Sequence, residues 1–213
     1  MPHYPINVNL AHRRCLVIGG GSVAERKVET LLEFGAEVTV ISPDITPLLS
    51  QLASSSSIQH ILASYTSDLS DLSDTSDRPF LVFAATDDRE VNKRISADCQ
   101  SRGILVNVVD DPELCTFYVP AIVQREDLII SISTSGRSPA MARWLRERLE
   151  ATLGSEYGQL ADVLGSLRSE VKAKYRDPGD RNQAYLRILN SDILDLLAEG
   201  KEQEALTKAS SLI

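Results

Sequence analysis

Apolar and polar positions fall in blocks whose spacing changes along the chain. Residues 14–21, RCLVIGGG, form an apolar run that ends in three glycines, as a buried strand does before a tight turn. SVAERKVETLLEFG follows, with Val23, Val28, Leu31 and Leu32 roughly on one face and Gly35 at the C-terminal cap, which predicts a helix. EVTVIS is a second, β-branched strand stopped by Pro43. Strand, glycine turn, helix and strand make one βαβ unit of about 30 residues. Further on, 45–57 predict a helix, 58–63 a third strand, 80–86 (FLVFAAT) a buried strand, 87–103 a helix ending at Gly103, and 104–109 (ILVNVV) another buried strand. Residues 64–78, rich in Ser and Asp, read mostly as a solvated connection, although Leu69 and Leu72 allow a short helix. This alternation predicts an α/β fold with a parallel, doubly wound sheet of Rossmann type.

The pattern changes after Pro112. TFYVPAIVQ and DLIISIST are strand-like runs separated by Arg125-Glu126-Asp127, which predicts an antiparallel hairpin. Ser138 as N-cap and Pro139 at the first helical position open an amphipathic helix. From 155 onward only helical patterns occur, read as three or four helices with a break at DPGD (177–180).

Composition narrows the function classes. Hydrophobic residues make up 43% and charged residues 24%, ordinary for a globular chain, and the net charge is -8. An acidic chain is a poor partner for nucleic acid or an anionic membrane surface, so neither is expected, and an anionic substrate would need a local cluster of cations. Cys15, Cys99 and Cys115 have no paired spacing and do not read as a disulfide framework; Cys15 and Cys99 read as core residues. His3, His12 and His60 show no metal-ligand spacing. The N-terminal MPHYPINVNLAHRR does not read as a signal peptide and no run reaches membrane-span length, so the expected location is cytoplasmic.

Four motifs carry chemistry. Gly19-Gly20-Gly21-Ser22-Val23-Ala24 fits G-x-G-x-x-A between a strand and a helix. Gly19 permits the tight turn, Gly21 lets backbone approach a pyrophosphate, Ala24 lets helix and strand pack closely, and the helix N-terminus offers free N–H groups. At the end of the second strand, Asp44 or Ser42 is placed to hydrogen-bond a ribose; no Arg or Lys stands there for a 2′-phosphate, which favours NAD over NADP. Thr86 and Asp87 end the next strand at the carboxyl edge and are placed to line the cofactor cleft, while Asp87 or Asp88 could equally cap the following helix. Asn107-Val108-Val109-Asp110-Asp111-Pro112 ends the last strand of the sheet. Asn107 is assigned to the cofactor side, and Asp110 to a general base or a divalent-metal ligand; the alternative is that Asp110 and Asp111 only make a turn with Pro112. Finally, Thr134, Ser135 and Arg137 precede a helix N-terminus, with Arg143 and Arg146 on one face of that helix. This local reversal of charge suits a substrate with several carboxylates, the alternative being a solvated face paired with Glu147 and Glu150, above all at Arg148.

Taken in order, PINVNL, CLVIGGGSVAERKVETLLEFGAEVTVISP, FAATDD, NVVDDP, FYVPAIV and SISTSGRSPAMARWLRERLE closely resemble the precorrin-2 dehydrogenase/sirohydrochlorin ferrochelatase family, which is also the N-terminal half of siroheme synthases. The resemblance implies NAD-dependent oxidation of precorrin-2, a tetrapyrrole, to sirohydrochlorin, with ferrochelation, a lyase reaction, as a second activity in part of the family. It implies a homodimer interleaved through the segment after the Rossmann domain, hence an organisation of 1–113 (NAD-binding), 114–153 (dimerisation hairpin plus helix) and 154–213 (helical). It maps the key catalytic aspartate onto Asp110, which would also serve metal insertion in a chelatase, and NAD contacts onto Ser22, Val23, Pro43 and Asp44. Where the family often has Ser-Gly-Gly-Thr-Ser-Pro, this chain reads Thr134-Ser135-Gly136-Arg137-Ser138-Pro139. No methyltransferase domain follows in the sequence, so methylation is not expected of it. The rival readings are a NAD-sensing or tetrapyrrole-binding module and a chelatase without redox activity.

Overall fold

The computed structural model describes residues 3–66 and 78–213, so most of the predicted 64–78 connection, Leu69 and Leu72 included, lies outside the described residues. The chain divides into two compact units, His3–Val119 and, after it, Pro120–Ile213.

In the first unit, β1 (Arg14–Ile18), β2 (Glu37–Ile41), β3 (Gln59–Ile61), β4 (Leu81–Ala84) and β5 (Leu105–Val108) form one sheet. Every pairing is parallel and the order is β3-β2-β1-β4-β5, so the doubly wound sheet expected from the alternation is what forms. The near-continuous apolar runs have a direct cause: both faces of the sheet are covered. Cys15 and Val17 of β1 and Leu81 and Phe83 of β4 point into one core, with α1 (Ser22–Glu33) and α2 (Pro47–Ser54). Leu16 and Ile18, and Val82 and Ala84, point into the other, with Ile95 and Cys99 of α3 (Arg89–Ser101). Helix α1 buries Ala24, Val28 and Leu31, so its core stripe begins at Ala24 and Val23 is only half-buried.

The second unit opens with the predicted hairpin, β6 (Ala121–Arg125) against β7 (Leu128–Ile132), turned by Glu126-Asp127 with Glu126 at φ +52. The first strand is shorter than its apolar run suggests. Residues 116–117 are held by β5 instead: the Thr116 N–H donates to Val106 O at 2.8 Å, and Phe117 O accepts from Asn107 Nδ2 at 3.0 Å. Helix α4 (Pro139–Thr152) starts as expected, with Ser138 Oγ accepting from the Met141 N–H at 3.2 Å. The tail holds five helices rather than three or four: α5 (Glu156–Ser166), α6 (Arg168–Lys174), α7 (Pro178–Leu189), α8 (Ile193–Ala198) and α9 (Glu202–Ser211). Only the break at DPGD carries a proline. The one between α5 and α6 is a bend at Leu167, which no residue type announces. These helices share a separate core built on Val171, Ala184, Ile188, Ile193 and Ala205. No helix among the described residues is long and apolar enough to cross a membrane.

Candidate functional site

Strand β1 is central, and the sheet order reverses beside it, so its carboxyl end is the switch point where ligands of such sheets bind. The three glycines stand there, and each has a different constraint. Gly19 has φ +119, and a Cβ on it would lie 2.3 Å from Ala85 O. Its N–H donates to Ile41 O at 2.9 Å, while the Ala85 N–H donates to Ile18 O at 2.8 Å, so the turn is pinned between β2 and β4. A Cβ on Gly20 would lie 1.9 Å from Asp44 O and 2.8 Å from Ser42 Oγ. Sequence reasoning assigned Gly20 no role, yet it makes the closest approach of the three; the x of G-x-G-x-x-A conceals it. Gly21 is the opposite case, with nothing within 4 Å of a Cβ built on it.

Gly21 caps α1 at φ -82 and ψ -175, with no side-chain cap hydrogen bond. The first-turn amides of α1 have no partner within the helix. They therefore face open space next to a residue with no side chain, at the positive end of the helix dipole. This cradle fits a pyrophosphate, the group that the glycine motif predicts there.

The turn after β2 is built around the glycines. Ser42 is buried and its Oγ donates to Asp44 O at 2.6 Å, so this hydroxyl shapes the turn. Pro43 and Asp44 are exposed. The Thr46 N–H donates to Gly20 O at 3.0 Å, its Oγ1 donates to the Glu25 carboxylate, and Oγ1 also accepts from the Leu49 N–H at 3.3 Å to cap α2. Thr46 and Glu25 were missed from sequence; the Thr-Pro pair at a helix start was the available signal.

After β4, Thr86 Oγ1 donates to Asn92 Oδ1 at 2.7 Å and Thr86 O accepts from Asn92 Nδ2 at 2.9 Å. Asp88 is the helix cap, accepting from the N–H groups of Glu90 at 2.8 Å and Val91 at 3.2 Å, which leaves Asp87 exposed and free of that duty. After β5, the Asn107 amide donates to Phe117 O and so holds the following segment in place. The two aspartates that follow separate. Asp111 accepts from Arg89 Nε at 3.0 Å and precedes the short 3-10 turn Pro112–Leu114. Asp110 is exposed, at φ +59, with no hydrogen bond or ion pair to its carboxylate among the described residues. It stands two strands from the glycine turn, about 10 Å along the sheet edge at the usual strand spacing. No group of three or more His, Cys, Asp or Glu able to hold a metal ion occurs among the described residues.

In the second unit, Thr134 Oγ1 accepts from the Ser138 N–H at 3.0 Å and Ser135 lies at φ +53, its N–H donating to Ser133 Oγ at 3.2 Å. Ser135 and Arg137 are exposed. Arg143 pairs with Glu147 at 2.9 Å and Arg146 with Glu150 at 3.9 Å, whereas Arg148 stacks over the Trp144 ring at 4.8 Å. The alternative of a face paired with Glu147 and Glu150 thus holds for Arg143 and Arg146 and not for Arg148, because the i,i+4 spacing on α4 matches 143 to 147 and 146 to 150. Exposed pairs of this kind contribute only about 0.3–0.5 kcal/mol each, so both guanidinium groups remain available to an anion.

Residues 6–121 match the family model described as "Putative NAD(P)-binding", residues 125–152 that for the sirohaem biosynthesis protein central region, and residues 156–213 that for the sirohaem synthase dimerisation region. A siroheme synthase of Chromobacterium violaceum is 39% identical over 205 residues, 96% of this chain and 42% of the relative. Siroheme synthase 1 of Aeromonas salmonicida is 40% identical over 213 residues, 100% of this chain and 44% of the relative. The chain thus spans about two fifths of the length of these curated relatives. Among solved structures, one titled SirC, precorrin-2 dehydrogenase, shares the fold with a TM-score of 0.75 at 23% identity, over 98% of this chain and 100% of that one.

Proposed function

We propose that this chain, which belongs to the putative NAD(P)-binding family over residues 6–121 and matches the sirohaem biosynthesis central region and the sirohaem synthase dimerisation region after it, oxidises precorrin-2 to sirohydrochlorin with NAD. The observation that carries the reading is the unpaired Asp110 carboxylate on the same sheet edge as the open, uncapped start of α1. When bound, the nicotinamide would supply the hydride acceptor. The amides of Ser22 and Val23 beside Gly21 hold the pyrophosphate, and Asp44 takes the ribose hydroxyls. The absence of Arg or Lys from positions 42–46 supports NAD over NADP. Thr86, locked by Asn92, and Asp87 form the wall beside the glycine turn. Asp110 receives the proton that leaves the substrate as hydride leaves a neighbouring carbon, so the two hydrogens depart as a charge-separated pair and a carbon–carbon double bond forms.

Substrate carboxylates find their counter-charges on Arg137, Arg143 and Arg146, with Thr134 and Ser135 ahead of α4 as hydroxyl and amide donors. We assign 1–113 to cofactor binding, 114–153 to dimerisation and 154–213 to the helical domain, with a homodimer as the working assembly. The match of residues 156–213 to a dimerisation region supports the homodimer itself, though over the helical domain, and within 114–153 the exposed Ile129, Met141 and Trp144 support it. The free thiols of Cys15, Cys99 and Cys115 suit a reducing, cytoplasmic setting.

The test mixes protein, NAD and precorrin-2 and follows NADH by its absorbance. Asp110→Ala should leave NAD affinity intact and lower turnover about 100-fold or more, in the range of a lost general base. Unchanged turnover would remove Asp110 from the chemistry, and no NADH at all would leave a binding module. Metal ion added after oxidation scores chelation separately.

A further inference from the structure

The turn that presents Asp110 is held from two sides. Cys115 returns from the 3-10 turn to the end of β5, where its Sγ accepts from the Val108 N–H at 3.1 Å and lies 3.2 Å from Val108 O and 3.4 Å from Asp111 O as a donor. Burial raises this thiol above its ordinary range, the Val108 hydrogen bond opposes that and the charge of Asp111 adds to it, so the S–H proton needed by those carbonyls is retained. Opposite, Arg89 Nε of α3 donates to Asp111 Oδ2 at 3.0 Å. Ser96 Oγ, also of α3, donates to Leu114 O at 2.7 Å, and Tyr118 Oη donates to Pro112 O at 2.8 Å. Asp110 sits between these anchors in the left-handed region, a backbone state that side-chain-bearing residues seldom hold without support.

We propose that Cys115 is a positioning residue for Asp110: its thiol, with Arg89 opposite, keeps residues 109–114 in the conformation that presents the Asp110 carboxylate to the reaction. This rests on the reading of Asp110 as proton acceptor. Neither residue belongs to the nucleotide cradle of Gly19–Val23, so the effect should fall on turnover and spare NAD affinity. General-base catalysis is sensitive to displacements of about 1 Å, which is the scale on which a released turn would wander.

The experiment compares full-length wild type with Cys115→Ala, Cys115→Ser, Arg89→Gln and Asp110→Asn, measuring kcat, KM for NAD and the thermal midpoint. Cys115→Ala should lower kcat about ten-fold or more with KM for NAD within about two-fold, and Cys115→Ser, which restores a shorter donor and acceptor, should recover part of it. Arg89→Gln removes a side chain that is 68% exposed, so it should lower kcat without moving the midpoint and decides the matter should Cys115→Ala fail to fold. If Cys115→Ala and Arg89→Gln keep wild-type kcat while Asp110→Asn is inactive, the brace is wrong and Asp110 keeps its role. If Asp110→Asn keeps full activity, the reading of Asp110 falls and the brace with it. A parallel loss of kcat, NAD affinity and midpoint in both brace variants would make their role merely structural and overturn the proposal.

Discussion

Gly20→Ala and Gly21→Ala change adjacent residues by one methyl group and should have opposite consequences. At Gly20 the new Cβ would meet Asp44 O at 1.9 Å, where ordinary contact begins near 3.4 Å, so the 42–44 turn must retreat by about 1.5 Å. Overpacking of that kind costs about 1–3 kcal/mol. The retreat also breaks the bonds from Ser42 Oγ to Asp44 O and from the Thr46 N–H to Gly20 O, at about 1 kcal/mol each. The sum is about 3–5 kcal/mol, a fall in melting midpoint of roughly 12–20 °C at about 4 °C per kcal/mol for a unit of this size. At Gly21 the new Cβ meets nothing within 4 Å, and φ -82 with ψ -175 is extended backbone open to any residue. The folded protein should therefore be unharmed, or stabilised by about 0.4–1 kcal/mol through the less flexible unfolded chain. The methyl group would nevertheless fill the space in front of the first-turn amides. Losing two charge-assisted bonds to a pyrophosphate costs about 3 kcal/mol, roughly a 100-fold weaker Kd for NAD. Thermal melts with and without NAD, together with calorimetric titration, separate the two effects. A Gly21→Ala protein that binds NAD with wild-type affinity would refute the assignment of this turn as the pyrophosphate seat. A Gly20→Ala protein that melts like wild type would refute the steric argument.

Three further outcomes are expected. Asp177 Oδ2 accepts from the N–H groups of Gly179 at 2.7 Å and Asp180 at 3.2 Å, so Asp177→Ala should destabilise the unit 120–213 by about 1 kcal/mol, read as a lower denaturant midpoint, with Asp177→Asn restoring most of it. Burial pushes Cys15 up to about 11 and Cys99 up to about 12 from an ordinary 9.0, with Asp98 adding to the rise at Cys99 and Arg102 opposing it. Both thiols stay protonated in the folded unit while the unfolded chain ionises near pH 9. Their contribution to stability is thus complete below that pH and lost as pH rises toward 11–12, and melting midpoints should be flat at neutral pH and fall above about pH 9. Arg143→Ala combined with Arg146→Ala should raise KM for an anionic tetrapyrrole about ten-fold, at about 0.7 kcal/mol per lost contact, while NAD titrates as in wild type; an unchanged KM would remove α4 from the substrate site.

Much of the fold was legible because its causes are local or periodic. Apolar runs of four or five residues specify strands buried on both faces, and their alternation with helical patterns specifies a parallel sheet, whatever the rest of the chain does. Three glycines after such a strand specify a turn that delivers a helix N-terminus to the sheet's carboxyl edge, so the candidate cofactor site could be read from a dozen residues. The five-helix tail was harder. Its break at Leu167 depends on how short helices close over one core, and side-chain packing of that kind leaves little trace in residue type, whereas the break between α8 and α9 carries a glycine, Gly200 at φ +75.

The residues of the candidate site divide in the same way. Sequence placed Asp110 and Asp111 together at a strand end and left open whether Asp110 was chemical or both only made a turn with Pro112. Only the approach of Arg89, 22 residues away, occupies one of them and leaves the other bare. Likewise Gly20 looked like a filler position, and it became the tightest contact of the turn only when β2 carried Asp44 alongside. The hydrophobic period and the glycine motif act through neighbours in the chain, so the sequence alone determined the sheet, its helices and the position of the glycine turn. Which carboxylate is free, which glycine is sterically required and which arginine is paired are decided by residues that meet through space, and only the tertiary structure brings those residues together.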